Sequence, residues 1–198
     1  MKLLNRLRRR KPVVIVSGLP RSGTSMMMKM LEAGGIEPLT DNLRTADDDN
    51  PKGYYEFERV KQLDKGDKDW LPLAEGKVVK VISALLSHLP DTHTYRIIFM
   101  RRALAEILAS QKRMLVRRGE PTDLVSDEEL TEMYEKHLGH VTAWIRGHDN
   151  VSVSYVNYNE LLSGPRRFAV QVNEFLGGTL DVERMVEIVD PSLYRQRA

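Results

Sequence analysis

"VVIVSGLPRSGTSMMMKML", residues 13–31, joins a β-branched run to a glycine loop and then to a helix-forming stretch. Gly18 and Gly23 stand in the G-x-x-x-x-G frame of a phosphate-binding loop, but the usual lysine position holds Thr24 and the loop's only cation is Arg21. The physics of anion binding survives that exchange. Glycines at both ends let successive amide N–H groups turn inward, and a helix starting near Gly23 adds its positive N-terminus. Ser22, Thr24 and Ser25 add hydroxyl donors, and Arg21 adds a permanent, two-pronged charge. The bland alternative is a tight strand-to-helix turn without a ligand.

Around this loop, short runs rich in Val, Ile and Phe read as strands at 13–17, 78–82, 96–100 and 151–155. Helical spacing predicts helices over 23–33, 103–118 and 127–146, the last opened by the capping sequence Ser126-Asp127-Glu128-Glu129. Two more are expected at 165–176, stopped by Gly177-Gly178, and at 181–189, ended by Pro191. Strands alternating with helices imply an α/β fold with a parallel sheet covered on both faces. The irregular stretch 35–76 carries Tyr54, Tyr55, Phe57 and Trp70, which reads as an ordered lid or substrate loop.

The chain has 198 residues, enough for one full core, so residues 13–198 are expected to form a single domain behind a basic tail, 1–12. That tail holds six of the 30 basic residues and no acid; without those six, 24 bases face 28 acids. The +2 net charge therefore comes from the tail, and the body lacks the basic balance of a nucleic-acid binder. The tail itself suits weak contact with a membrane surface or a solvated, frayed end. No apolar run approaches the ~20 residues of a membrane span, no secretory signal is legible, and there is no cysteine. A cytoplasmic protein is expected.

A magnesium-dependent nucleotide enzyme needs an acid at a strand end to hold the metal. Here the strands run into Ser17, Ser83, Arg101-Arg102 and 156–158, none of them Asp. Leu19-Pro20-Arg21-Ser22-Gly23-Thr24-Ser25 instead resembles the 5′-phosphosulfate loop of the sulfotransferases, with the arginine of the tyrosylprotein and bacterial enzymes. Two later segments are similar in order and spacing. Arg102 leaves a strand and Ser110 follows eight residues on, as in the family's 3′-phosphate motif; Tyr158-Asn159-Glu160-Leu161, with Pro165 and Phe175-Leu176-Gly177, resembles its adenine-side segment.

The resemblance implies a P-loop fold and a PAPS-dependent (3′-phosphoadenosine-5′-phosphosulfate) transfer of a sulfuryl group to a hydroxyl or amine, with no metal. It implies that Arg21, Ser22, Gly23, Thr24 and Ser25 hold the 5′-phosphosulfate, that Arg102 and Ser110 hold the 3′-phosphate, and that Tyr158 lies by the adenine. Lys80 matches the lysine that approaches the transferring group. The histidine of the cytosolic enzymes is replaced by Ile82, which leaves Asp41, Glu56 and His88 as candidate bases, in that order for the first two. Asp41 falls where the tyrosylprotein enzymes carry their glutamate. His137 and His140 have metal-like spacing but no third ligand in view. The Arg-Lys-Gly segment that closes over the 3′-phosphate is missing, and Arg195 or Arg197 are the substitutes on offer. A small molecule, carbohydrate, lipid or peptide would each serve as acceptor. The competing readings are a P-loop small-molecule or nucleotide kinase and an inactive module that binds PAPS or its product PAP (3′,5′-ADP).

Overall fold

A computed structural model describes residues 10–41 and 55–189. Tyr54, the tail residues 1–9, Pro191, Arg195 and Arg197 lie outside the described residues. The four expected strands are β1 (Val13–Gly18), β2 (Val78–Lys80), β3 (Tyr95–Arg101) and β4 (Val151–Asn157). All pair in parallel in the order β2-β1-β3-β4, with Val16 opposite Lys80, Gly18 opposite Met100, and Arg101 opposite Asn157. The α/β fold is the one the sequence predicts. The chain steps from β1 to β2 on one side and then crosses to β3 on the other, which puts a topological switch point at the C-terminal ends of β1 and β3, where the connections leave a crevice. That crevice is where such sheets bind ligands.

Side chains alternate across the sheet. Val14, Val16, Ile98, Met100 and Val156 face α1 (Thr24–Ala33), and the same core takes in residues of α4 (Tyr158–Ser163), α5 (Pro165–Leu176) and α6 (Val182–Glu187). Val13, Ile15, Ile97 and Phe99 face α3 (Asp127–Arg146) and the segment that follows α1. Helix α2 (Leu104–Arg118) leaves β3 directly and touches α3. The capping box opening α3 is present: Ser126 Oγ accepts from Glu129 N at 3.2 Å, and Ser126 N donates back to Glu129 Oε2 at 3.1 Å.

Of the stretch 35–76, expected as a lid or substrate loop, residues 35–41 and 55–76 are described. Residues 36–39 run along the free edge of β2, Leu39 N donating to Val78 O at 2.7 Å. Beyond the undescribed stretch, 3₁₀ turns Glu58–Lys65 and Leu71–Ala74 insert Val60, Leu63, Trp70 and Leu71 into the core beneath β1. Trp70 is fully buried, its ring edge-on to Phe57 at 5.8 Å and its Nε1–H donated to Asp67 O at 3.1 Å. The described aromatics of this segment, Tyr55, Phe57 and Trp70, therefore pack in or against the core. A third 3₁₀ turn, Ser83–His88, follows β2, and α4 follows β4; both were absent from the sequence reading.

Candidate active site

The loop after β1 is closed by steric necessity at both ends. A Cβ on Gly18 would lie 2.5 Å from Ser22 Oγ and 2.7 Å from the Met100 carbonyl. Gly23 sits at φ 96°, and a Cβ there would meet the Tyr158 ring at 2.3 Å. Between them Arg21 has φ 68°, the one non-glycine residue with positive φ among the described residues. An L-residue held in that region is strained, so the loop fixes the arginine's position at a cost. Gly23 caps α1 without any side-chain bond, so the positive N-terminal end of the helix opens on the loop.

Ser22 Oγ and Ser17 Oγ are buried and have no hydrogen-bond partner among the described residues. Buried hydroxyls are almost always satisfied. A phosphate or sulfate oxygen over the loop is a suitable partner for Ser22, so the donor set fits the anionic end of PAPS.

Two arginines from separate elements converge here. Arg21 Nε donates to Ser110 Oγ at 3.0 Å across 89 residues of chain, bringing the expected 5′-loop arginine and 3′-site serine into contact. Arg102 Nη1 donates to the Arg21 carbonyl at 3.1 Å, and its Nε donates to Glu106 Oε2 at 2.8 Å. The other Glu106 oxygen accepts from Asn159 Nδ2 at 2.7 Å. Glu106 is buried, so this carboxylate both neutralises and aims Arg102. The Arg102 guanidinium lies 4.6 Å over the Tyr158 ring. Burial raises the Tyr158 phenol's pKa, with the Arg102 and Arg21 charges pulling the other way, so the ring is neutral at pH 7.

On the other flank of β1, Lys80 Nζ stands 3.7 Å from Glu56 Oε1, and Lys61 Nζ 3.6 Å from Glu56 Oε2. Asp41, the base preferred by counting along the sequence, is engaged differently. Its Oδ2 accepts from Glu58 N at 2.6 Å, capping the 3₁₀ turn, while Thr40 Oγ1 donates to Glu56 O at 2.9 Å. Asp41 thus supports a turn, and Glu56 stands beside the lysine. His88 is exposed at the end of its 3₁₀ turn. His137 accepts or donates at Ser83 Oγ, 2.8 Å away, and burial, aided by the neighbouring His140, lowers its pKa.

Sequence reasoning missed Glu106 and gave Asn159 no role. The four-residue spacing between Arg102, just ahead of α2, and Glu106 in its first turn was a legible signal; the Asn159 contact, 53 residues away, was not.

A family model described as the sulfotransferase domain matches residues 11–196. No curated protein matches the chain in sequence. Among solved structures, the chain is similar to sulfotransferase STF1 from Mycobacterium tuberculosis, at 15% identity and TM-score 0.58, over 91% of this chain and 71% of that one. It is similar to the sulfotransferase domain of the curacin biosynthetic pathway at 13% identity and TM-score 0.58, over 91% and 78%. It is also similar to the sulfotransferase domain of the Synechococcus PCC 7002 olefin synthase, at 13% identity and TM-score 0.51, over 100% and 88%. These likenesses are of fold.

Proposed function

The chain belongs to the sulfotransferase-domain family, and we propose that it draws its sulfuryl group from PAPS through the loop and arginine cluster described above. It is a sulfotransferase, moving a sulfuryl group to an acceptor; the kinase and inactive-module readings have no comparable support. The observation that carries the PAPS assignment is the Arg21–Ser110 and Arg102–Arg21 contacts, which place two cations and a hydroxyl around one glycine loop.

In this reading the loop amides, with Arg21, Ser22, Gly23, Thr24 and Ser25, hold the 5′-phosphosulfate and stabilise the charge that builds on the leaving phosphate. PAPS supplies the activated sulfuryl group. Arg102 and Ser110 take the 3′-phosphate; Glu106 and Asn159 keep Arg102 in place for it. Tyr158, clamped between Gly23 and Arg102, borders the adenine. Lys80 faces the transferring oxygens, and Glu56, facing Lys80, removes the acceptor proton. Asp41 keeps a capping role. None of these roles calls on a metal, and among the described residues no group of three His, Asp or Glu could hold one.

Among the described residues no helix is long and apolar enough to cross a membrane. Cytoplasmic placement belongs to this proposal, since a chain without cysteine needs no oxidising compartment. Thermal shift tests the co-substrate: PAP without metal should raise the melting temperature, and ATP with Mg²⁺ should not match it. Stabilisation by ATP with Mg²⁺ alone would defeat the PAPS reading.

A further inference from the structure

Helix α3 turns one stripe towards the body of the domain, and the stripe changes character along its length. Val141 and Ile145 are buried in the core beneath the sheet, and Leu138 packs against them. Earlier on the helix, at the spacing that keeps residues on one face, stand Tyr134 and His137, both half-buried. Each is hydrogen bonded to another element. Tyr134 OH accepts from Gln111 Nε2 of α2 at 2.7 Å, and His137 Nε2 meets Ser83 Oγ at 2.8 Å across 54 residues of chain. The helix is thereby fastened on one side beside Ser110, and on the other to the chain that has just left β2.

That second fastening lies just beyond Lys80. Strand β2 is short, and its last pairing sets Lys80 opposite Val16. One further backbone bond, Val81 N to Val16 O at 3.1 Å, ties it to β1; Ile82 is then exposed, and the turn Ser83–His88 begins. Val79 and Val81 enter the core under α3, so Lys80 between them is turned to the other face of the strand, where Glu56 meets it. The turn is held by Leu86, which is fully buried, and at its first residue by Ser83, which is 3% exposed. Among the described residues no other side-chain hydrogen bond or ion pair joins this turn to the rest of the chain. A buried hydroxyl without a partner is unfavourable, so removing the imidazole would drive the turn to shift. Burial, with His140 adding to it, lowers the pKa of His137, so at pH 7 it fastens the turn as a neutral group.

We propose that His137 is a positioning residue for the transfer: through Ser83 it fixes the strand end that carries Lys80, and with it the place of the ammonium against the sulfuryl group. The inference rests on the PAPS reading above and on the role given there to Lys80. Glu56 holds the ammonium at its tip, 3.7 Å away, whereas the Ser83–His137 bond holds the backbone from which the side chain springs. Two elements thus act on one lysine at different points. In this reading the phosphates of PAP are held by the glycine loop and by Arg102 and Ser110, so a displaced Lys80 is felt by the sulfuryl group, which PAP lacks.

Isothermal titration of the full chain with PAPS and with PAP reads this as a double-mutant cycle of Lys80→Ala and His137→Phe. Lys80→Ala should weaken PAPS binding about tenfold and leave PAP binding within about twofold. His137→Phe should weaken PAPS binding about three- to tenfold, again sparing PAP, and should add less than about twofold once Lys80 is gone. A residue that merely supports the fold would act equally in both backgrounds. His137→Gln, whose amide can still meet Ser83, should bind PAPS within about twofold of the parent. Ser83→Ala cuts the same bond from the other side and takes the place of His137→Phe if that variant fails to fold. Additive losses, equal losses for PAP and PAPS, parent-like PAPS binding without the bond, a His137→Gln variant as weak as His137→Phe, or no effect of Lys80→Ala each overturns the assignment while PAP binding stands. Failure of the parent to bind PAP overturns the co-substrate reading and this inference with it.

Discussion

Arg21 carries two opposed effects that substitution can separate. At φ 68° any L-residue bears a backbone cost of roughly 1–2 kcal/mol, which glycine escapes at an entropic cost of about 0.5–1 kcal/mol. Both Arg21→Ala and Arg21→Gly lose the Nε–H bond to Ser110, worth about 1 kcal/mol. Arg21→Ala should therefore destabilise the protein by about 1 kcal/mol. Arg21→Gly, relieved of strain, should fall within about 0.5 kcal/mol of the parent. Both should lose affinity for PAP by about 1.5–3 kcal/mol, the value of a charged hydrogen bond, or roughly 10- to 150-fold in Kd. Urea unfolding measures the first pair of values and isothermal titration the second. A glycine variant less stable than the alanine variant would refute the strain argument. Parent-like PAP affinity in either would refute the anion-binding role.

Glu106→Ala removes the buried carboxylate between Arg102 and Asn159, so unfolding free energy should drop by about 3–5 kcal/mol and the melting temperature by about 6–20 °C; a change under about 1 kcal/mol would mean that Arg102 is held by other contacts. Glu56→Gln should lower kcat by about 10²–10⁴ with PAP affinity kept, whereas Asp41→Asn should cost about 1 kcal/mol of stability through its cap and leave turnover nearly intact; the reverse split in steady-state kinetics would restore Asp41 as base. Burial lowers the pKa of His93 and His137 in the folded protein, so the unfolded chain binds more protons below the ordinary histidine value of about 6.5. Stability should accordingly fall as pH drops from about 6.5 through the folded values, and the pair His93→Gln with His137→Gln should flatten that slope in urea titrations; an unchanged slope would contradict it.

The long elements were legible because burial on both faces leaves a coarse mark: runs such as Val13–Ser17 and Arg96–Met100 have no other stable home than a covered parallel sheet. Helix α5 begins at Pro165 and ends before Gly177, as local chemistry dictates. Short elements left weaker marks. Helix α4 has only six residues, and its one signal is Asn157, whose side chain accepts from the amides of Asn159 and Glu160. The 3₁₀ turns around Trp70 lie among Asp, Gly and Pro residues that read as loop, and only tertiary burial makes them core.

The site divides along the same line. Contiguous residues 18–25 announce an anion loop, and Arg102 at a strand end with Ser110 two turns into the next helix follows from a strand-to-helix step. What the sequence concealed was relative placement: Asp41 as a cap, Glu56 beside Lys80, and Asn159 completing the Arg102 cluster all depend on chain crossings that periodicity does not encode.

The central claim is that Arg102 and Ser110 recognise a 3′-phosphate beside a 5′-phosphosulfate loop. Its most direct test is isothermal titration of the protein and of Arg102→Ala with 3′,5′-ADP and with 5′-AMP. The parent should prefer 3′,5′-ADP by about 1.5–3 kcal/mol, tenfold or more in Kd, and Arg102→Ala should lose most of that preference while retaining weak binding of the shared 5′-phosphate part. Equal affinity of the parent for the two nucleotides would contradict it.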